Sequence, residues 1–424
     1  AEWFIRGIPR LENILPEDPA PSTCNPSISP EVTHHINRMR TMGWGQRARE
    51  MGMLMFGCGP DATSPRDCLG SEPSASDTAY GASWNVVPGA SMRILYETNY
   101  RSSYWTRSSP DGRFVAHGAN VPGANRARFI DLHRDVAIPA RALYDPSFFP
   151  DGSAFMFQGM GALTCPMGIL LAEPTSITFS EPGCTRSTAL GLYQHVGASL
   201  DGADHWALFG PFQSDDGGHM PTLNNPPAMF GSDSVTRFMR LVNTGSGFVP
   251  MGTASIRTPF EGDSVLAPSG ELFVNRLAGR GGRQLGYVLR RIIIERSGGS
   301  WSVRAPEVAR YCTVGGKPSF DFDERYLVFH RYVTNTNEDA MELGFSGTED
   351  PGFLPYRTQG AANLYLLDLL TGSLRRLTQM GPGQYALFPH FRADGWIFFI
   401  VRSAGTSVEY VVATDAMLLV RDGG

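Results

Sequence analysis

A tight turn followed by an apolar run recurs six times in this 424-residue chain, and the repeat restricts the fold more than any other feature. Each copy has a small or apolar lead-in, the turn, and then residues typical of a β-strand. Asp-Gly between alternating apolar runs is a strong hairpin signal, because a two-residue turn of that kind requires positive φ angles. The six turns are centred on Asp111–Gly112, Asp151–Gly152, Asp201–Gly202, Ser269–Gly270, Asp323–Glu324 and Asp394–Gly395.

Each copy continues with a second apolar run and then a further strand and loop. The second runs are Arg128–Leu132, Ile169–Ala172, Arg237–Val242, Tyr287–Glu295, Asn363–Leu369 and Val408–Thr414. Successive turns lie about 40 to 71 residues apart, which is the length of a four-stranded blade with its loops. With 48 Gly and 31 Pro, the composition also excludes a helical bundle. The sequence therefore predicts an all-β fold, a six-bladed β-propeller of four-stranded blades.

The last copy supplies a hairpin and one more strand, so it lacks a full fourth strand. The run Met92–Thr98 (MRILYET) precedes the first copy and has no partner of its own. We expect this N-terminal strand to complete the last blade and close the ring, which would remove open sheet edges.

Two adjoining segments carry a family resemblance: NLYLLDLLTGSLRRLTQ from Asn363, and FPHFRADGWIFFIVRS from Phe388. They resemble the TolB-like (WD40-like repeat) six-bladed β-propeller family. The resemblance covers roughly residues 90–424 and is weaker at Ser269–Gly270, where Asp is replaced, and at Asp323–Glu324, where Gly is replaced. It implies the fold far more than an activity, since such propellers serve as binding platforms and as enzymes.

The first 85 residues lie outside that resemblance. Ser29, Pro30 and Glu31 form a helix-start signal, which predicts a helix ending at Met42, with a second helix over 45–56. We expect residues 1–85 to be an arm and a small disulfide-stapled appendage, and residues 86–424 to be the propeller.

Six cysteines predict disulfides in an oxidising compartment, although spacing does not fix their connectivity. They are Cys24, Cys58, Cys68, Cys165, Cys184 and Cys312. A Cys165–Cys184 bridge would leave Cys312 to pair with an N-terminal cysteine; the alternative is that some cysteines stay free and buried. The chain opens on Ala1 and lacks an N-x-[ST] sequon, so we expect an exported bacterial protein, periplasmic or extracellular.

Length variation concentrates in the loops between second and third strands, which lie on one face of a propeller. The two largest are Pro211–Gly231 and Thr334–Ala362. Elaborated loops on a rigid scaffold commonly carry binding, so this face is the expected binding face. A bridge to Cys312 would hold the N-terminal appendage over the same face.

The loop at 211–231 contains Asp215, Asp216 and His219, a donor set for Ca²⁺ or a transition metal. The alternative is a solvated polar loop. The loop at 334–362 is acidic, and Glu349 and Asp350 are its candidate residues for binding a cation or a basic partner. The alternative is that its charges only increase solubility. Its other acidic residues are Glu338, Asp339 and Glu342.

Histidines on or beside strands offer a further metal hypothesis at the propeller channel, against the alternative of satisfied core histidines. They are His117, His133, His195, His205, His330 and His390. The Asp residues of the turns are explained by turn chemistry alone.

A net charge of −5 gives no basic face for nucleic acid. No run of apolar residues is long enough to span a membrane. The chain has no G-x-S-x-G or H-E-x-x-H motif, so no catalytic set is predicted. We expect a non-enzymatic scaffold that binds protein partners in an envelope or extracellular assembly. The alternative is a metal-dependent, lyase-like carbohydrate-active enzyme with its site at the channel mouth.

Overall fold

Strands dominate the computed structural model, which describes sixteen stretches of the chain. They are 22–50, 84–102, 106–118, 127–132, 134–140, 142–152, 154–159, 167–169, 179–180, 193–200, 205–213, 234–243, 248–257, 264–278, 284–297 and 300–422. The fold is all-β with a few short helices, as the repeat predicts.

The N-terminal elements precede the repeat. They are β1 (Ser27–Ile28), α1 (Pro30–Met42), α2 (Trp44–Glu50) and β2 (Met92–Thr98). The Ser29 hydroxyl accepts the Glu31 N–H (3.1 Å), and the Gly43 N–H donates to the Met39 carbonyl (2.8 Å), so the predicted bounds of α1 are confirmed. Only the first part of the second predicted helix lies within the described residues.

The first three copies of the repeat each form one antiparallel four-stranded sheet, called units 1 to 3. Unit 1 contains β3 (Arg107–Ser108), β4 (Phe114–Gly118), β5 (Ala127–Asp131) and β6 (Val136–Ala140). Unit 2 contains β7 (Ala142–Phe148), β8 (Ala154–Gly159), β9 (Met167–Ile169) and β10 (Phe179–Ser180). Unit 3 contains β11 (Tyr193–Ala198), β12 (His205–Gln213), β13 (Ser234–Asn243) and β14 (Phe248–Arg257).

Units 4 to 6 follow the same plan with insertions. Unit 4 contains β15 (Val265–Leu266), β16 (Leu272–Ala278), β17 (Gln284–Arg291), an inserted hairpin of β18 (Ile293–Ser297) and β19 (Ser300–Arg304), and β20 (Glu307–Tyr311). Unit 5 contains β21 (Gly316–Phe320), β22 (Tyr326–Tyr332), α3 (Asn337–Glu342), α4 (Leu354–Gln359), β23 (Ala362–Asp368) and β24 (Leu374–Arg376). Unit 6 contains β25 (Gln384–Phe391), β26 (Ile397–Ser403), β27 (Glu409–Thr414) and then α5 (Ala416–Asp422).

Several of these elements differ from the sequence analysis. The apolar run Tyr287–Glu295 is not one strand: β17 ends at Arg291, and β18 begins at Ile293 and pairs with β19 in a separate two-stranded sheet. The C-terminal helix α5 was not predicted; it buries Ala416 and Met417.

The N-terminal strand β2 supplies the fourth strand of unit 6. It pairs antiparallel with β27, with Met92 opposite Thr414 and Thr98 opposite Glu409. This is the pairing expected from the sequence, and it joins the chain before unit 1 to the last unit.

The five described turns share one hydrogen bond, from the N–H of the fourth residue to the carbonyl of the first, and all differ from the two-residue turn that Asp-Gly indicates. In unit 1 the Ser109 N–H donates to the Phe114 carbonyl and the Gly112 N–H to the Ser109 carbonyl (both 2.8 Å). Only the fourth residue of the turn has positive φ, 79° at Gly112. Four residues therefore separate the paired strands in units 1, 2, 4 and 5, and three in unit 6, where the Arg392 N–H donates to the Trp396 carbonyl (2.9 Å). Both lengths are common in longer hairpins.

The first strands of the units pack side by side. Contacts join β3 to β7, β7 to β11, β11 to β15, β15 to β21, β21 to β25, and β25 back to β3. None of the helices in the described stretches is long and apolar enough to cross a bilayer.

A disulfide and a strand pair attach the N-terminal segment to unit 4. Cys24 is bonded to Cys312, one of the pairings that the sequence left open, and the two Cα atoms lie 5.6 Å apart. From there β1 runs antiparallel to β20, and the Ser29 N–H donates to the Val308 carbonyl (2.9 Å). The segment thus covers the outer edge strand of unit 4.

Helix α1 then packs against unit 4 and contacts the turns of units 4 and 5. Val32 and Ile36 belong to the same buried core as Leu272 and Phe273. His35 Nε2 lies 2.7 Å from Glu324 Oε2, and Arg38 forms an ion pair with Glu271.

Glu324 is the residue that replaces Gly in the repeat, and its side chain is fully buried at a φ of 56°. Its carboxylate accepts the Ser269 N–H (2.6 Å) and the Ser269 hydroxyl (3.0 Å). Ser269 is the residue that replaces Asp. The two departures from the repeat therefore contact each other, and Glu324 also binds the N-terminal helix.

Helix α2 extends this contact towards unit 3. The Trp44 indole donates to the Ala198 carbonyl (2.8 Å), and the Gly45 N–H donates to the Phe322 carbonyl (3.2 Å). A Cβ on Gly45 would lie 2.2 Å from Asp323 Oδ1, so a larger residue here would displace the Asp323 side chain. The helices thus lie on the face that carries the turns. The sequence analysis placed the N-terminal appendage on the opposite face, that of the long loops; the difference arises because β1 carries the chain from Cys24 along the edge of unit 4.

The division of the chain at residue 85 stays a prediction.

Replacing Cys312 with Ser should lower the free energy of unfolding by about 2 to 5 kcal/mol, because the bond closes a loop spanning 288 residues. Urea denaturation of the variant and of dithiol-treated wild-type chain measures this loss. A variant as stable as the oxidised wild type would contradict a structural role for the bond.

Replacing Glu324 with Ala should cost about 3 kcal/mol of unfolding free energy, because it leaves buried Ser269 and His35 groups without their acceptor. Glu324→Gln should cost less, since its amide oxygen still accepts. Glu295→Ala, at an exposed ion pair, is the control and should change stability by under about 1 kcal/mol. Equal losses in Glu324→Ala and Glu295→Ala would show that the docking contact is unimportant.

Candidate functional site

The long acidic loop of unit 5 is a folded helical insert rather than an open loop. We call residues 333–361, between β22 and β23, the helical insert. Thr336 caps α3, its hydroxyl accepting the Asp339 N–H (3.2 Å). At the base, the Val333 N–H donates to the Ala361 carbonyl (2.9 Å), which closes the insert on the ends of the two strands.

Three aromatic rings form a small core inside the helical insert. Phe345, Phe353 and Tyr356 have ring centroids 5.7 to 5.8 Å apart, and Phe353 stacks on Tyr356. The Tyr356 hydroxyl donates to the Met380 carbonyl (3.0 Å), which lies in the connection to unit 6. This core fixes the insert to the scaffold as a preformed projection.

Two of the acidic residues are used for internal structure. Asp339 is buried, pairs with Arg331 and accepts the Thr334 N–H (2.6 Å). Glu342 accepts the Tyr365 hydroxyl (2.6 Å). Both therefore connect the helical insert to β22 and β23 rather than to a ligand.

Glu349 and Asp350, the candidates for a cation or a basic partner, lie at the tip. Glu349 pairs with Arg357 (2.7 Å) and its side chain is 83% exposed. The Ser346 and Gly352 N–H groups and the Ser346 hydroxyl hydrogen-bond to Asp350 and lower the pKa of its carboxyl. Asp350 thus stabilises the turn before α4, whereas the outer face of Glu349 is available to a partner.

Exposed apolar side chains accompany these charges. Met341 on α3 is 59% exposed and Leu354 at the start of α4 is 42% exposed. Both are large and apolar and lie on short helices whose other apolar residues are buried. Sequence reasoning missed these two residues, because α3 and α4 were not predicted.

The metal candidates Asp215, Asp216 and His219 lie outside the described residues, as do Cys58, Cys68, Cys165 and Cys184. The metal site and the Cys165–Cys184 bridge stay predictions. Within the described stretches, no three His, Cys, Asp or Glu side chains gather as a metal site would require.

The described histidines of the sequence-predicted set do not gather into a metal-binding group. His117 Nε2 is 3.1 Å from Glu409 Oε2, and both side chains are buried where unit 1 meets unit 6. His330 accepts the Phe388 N–H (3.3 Å), and His390 lines a cavity between the first strands. His133 and the side chains of His195 and His205 are outside the described part.

The Glu409 carboxylate is the centre of that junction. Arg402 Nε donates to it (2.5 Å), and so does the Ser102 N–H (2.7 Å). Burial alone would raise the pKa of Glu409, but the hydrogen bonds and charges of His117 and Arg402 lower it. The network fixes the segment after β2 to unit 6, so its role is structural.

The turn carboxylates follow the turn chemistry that the sequence indicates. Asp111 accepts the Ser109 hydroxyl (2.5 Å) and the Arg113 N–H (3.1 Å). Asp394 accepts from Arg392 (2.8 Å). In unit 5 the equivalent of Ser109 is Asp321, which is buried and accepts the Tyr326 N–H (2.7 Å). Burial and the nearby Asp323 charge raise the pKa of Asp321 to about 8.

No family model and no curated protein matches the chain. Its neighbours among solved structures are β-propellers and related proteins, TolB among them, as the sequence resemblance indicates. TolB from Acinetobacter baumannii is 12% identical over 68% of this chain and 56% of that chain, just over half its length, with a TM-score of 0.39.

Two further neighbours have similar scores. An oligogalacturonate lyase from Vibrio parahaemolyticus is 12% identical over 78% of this chain and 95% of that chain, with a TM-score of 0.39. The β-propeller domain of the trilobed protease from Pyrococcus furiosus is 10% identical over 74% and 94%, with a TM-score of 0.39.

Replacing Asp321 with Asn should flatten the dependence of stability on pH. A carboxyl whose pKa is raised on folding stabilises the fold below its unfolded pKa, and this contribution is lost as pH rises towards about 8. Relative to wild type, Asp321→Asn should therefore gain at least about 1 kcal/mol between pH 5 and pH 8. Thermal unfolding at both values measures it; parallel pH profiles would contradict burial of an ionisable group there.

Proposed function

We propose that this chain is a closed six-bladed β-propeller that binds a protein partner through the helical insert of unit 5. The cyclic contacts of the first strands, from β3 through β25 and back to β3, support closure. The pairing of β2 with β27 supports the N-terminal strand as the closing element. The scaffold acts by binding rather than by catalysis.

One observation carries the binding role: the helical insert is held rigid by its own aromatic core and presents Met341 and Leu354 to solvent. A preformed element has little backbone conformational entropy left to lose when a partner covers its exposed apolar side chains. Binding through a rigid projection is therefore favoured over binding through a loop that must first become ordered.

Charge indicates the chemistry of the partner. Glu338 is exposed on α3, beside Met341, and Glu349 is exposed at the tip. Asp339, the buried acid, is already neutralised by Arg331. The helical insert thus exposes both acidic and large apolar side chains, a combination that fits a basic, amphipathic protein segment.

The Cys24–Cys312 bond supports an exported chain in an oxidising compartment, periplasmic or extracellular. In that setting the partner is a component of an envelope or extracellular assembly. The disulfide joins the N-terminal segment to Cys312, which directly follows β20. The helical insert begins further along the chain, at Val333.

The double replacement Met341→Glu and Leu354→Glu should release the partner, because it places charge in the apolar centre of the interface. A tagged chain purified under native conditions from its source should elute as a larger complex for wild type and as a monomer for the variant. A loss of at least tenfold in the co-purified partner is expected.

The matched control is Leu374→Glu, which charges a 39% exposed leucine on β24 outside the helical insert. It should keep the complex. Circular dichroism and thermal unfolding check that all variants are folded. A wild-type chain that elutes as a monomer, or a complex that survives the double replacement, would overturn the proposal.

A further inference from the structure

A cavity of about 430 Å³, partly open to solvent, lies between helix α1 and unit 4. One side of its wall comes from α1, and the other side comes from β16, β17 and β20. The contact of His35 with Glu324 fixes α1 in this position, so the cavity is preformed. Small-molecule sites commonly have volumes of about 300 to 1,000 Å³, and this cavity falls within that range.

The inner part of the wall is apolar. Val32, Leu272 and Val308 line the cavity and are 1%, 2% and 6% exposed. An apolar group that covers such a surface gains roughly 25 cal/mol for each Å² of apolar area removed from water. A ligand that fits this cavity therefore carries an apolar part.

Two opposite charges lie next to each other in the same wall. Arg291 Nη1 donates to Glu31 Oε2 at 3.4 Å, and the two side chains are 52% and 59% exposed. Within the described stretches, these two side chains form hydrogen bonds only with each other. A guanidinium has five donors and a carboxylate accepts about four hydrogen bonds, so both groups can bind a ligand while they stay paired.

The remaining ionic groups at the cavity are balanced as well. Arg38 lines the cavity and pairs with Glu271, and His35 Nε2 lies 2.7 Å from Glu324 Oε2. The wall thus offers both signs of charge without a clear excess of either. Electrostatic complementarity favours a ligand that also carries both signs over a simple anion or a simple cation.

We propose that this cavity binds a free α-amino acid with an apolar side chain. At neutral pH such a molecule carries an ammonium and a carboxylate on one carbon, so its charges are adjacent, like those of Glu31 and Arg291. The ammonium donates to Glu31 and the carboxylate accepts from Arg291, which places the two dipolar pairs antiparallel. The apolar side chain covers Val32, Leu272 and Val308.

Each part of the ligand has a separate role in this arrangement. The amide L-leucinamide keeps the ammonium and the side chain but has no carboxylate for Arg291. Isocaproate keeps the carboxylate and the side chain but has no ammonium for Glu31. Glycine keeps both charges but leaves the apolar wall uncovered. A free amino acid is therefore distinguished from the amino terminus of a peptide, which L-leucinamide represents.

Isothermal titration of the full-length chain at pH 7 and constant ionic strength tests this with L-leucine, L-leucinamide, isocaproate and glycine. We expect L-leucine to bind at least about tenfold more tightly than each of the other three, since each of them lacks one charge-assisted contact or the apolar contact. This series uses the wild-type chain, so it does not depend on the folding of any variant.

Glu31→Gln and Arg291→Gln should each weaken the binding of L-leucine at least about fivefold. The matched controls are Glu295→Gln and Arg304→Gln, at an exposed ion pair of 2.8 Å on the β18–β19 hairpin, and they should leave binding unchanged. Thermal unfolding checks that all four variants are folded. No binding of L-leucine, equally tight binding of L-leucinamide, isocaproate or glycine, or binding insensitive to the two cavity variants would overturn the proposal.

Discussion

A residue with left-handed backbone closes each described turn between first and second strands, and the packing of the units depends on it. The φ angles are 79° at Gly112, 73° at Gly152, 75° at Gly270, 56° at Glu324 and 98° at Gly395. Glycine adopts these angles without a steric penalty, and it also permits close packing. A Cβ on Gly112 would lie 2.5 Å from Arg392 Cδ, so this turn in unit 1 can rest against unit 6 only without a side chain.

Glu324 occupies the glycine position of the turn in unit 5, where its side chain makes hydrogen bonds that glycine could not make. Holding a non-glycine residue in this region costs about 1 to 3 kcal/mol. Its buried carboxylate offsets this by bonding to Ser269 and His35, each within 3.0 Å. Because Ser269 and Glu324 are the two positions that depart from the repeat, the departures mark the place where α1 binds. In this chain, the positions that depart from the repeat therefore indicate where an additional element contacts the units.

Polar residues that sequence reasoning selects as sites serve two different purposes in this chain. His117, Asp339 and Asp350 complete internal networks, since each has partners that satisfy it. His390 does not, because its Nε2 faces a cavity with no partner among the described residues. A buried histidine whose ring nitrogens are both satisfied is structural, whereas one with an unsatisfied nitrogen is a candidate ligand group. Residue type alone does not distinguish the two.

The sequence by itself determined the all-β class, the strand-turn-strand repeat, the bounds of α1 and the pairing of β2 with β27. These follow from local rules: alternation, capping residues and a strand count that leaves one partner missing. Only the tertiary structure decided that Cys24 bonds Cys312, that α1 lies on the turn face, and that the loop of unit 5 folds into α3 and α4. The first two outcomes depend on contacts between residues far apart in the chain, such as His35 with Glu324, and no local pattern encodes them. The third combines a local cap at Thr336 with the tertiary bond from Tyr356 to Met380, and only the second of these lies beyond sequence reasoning.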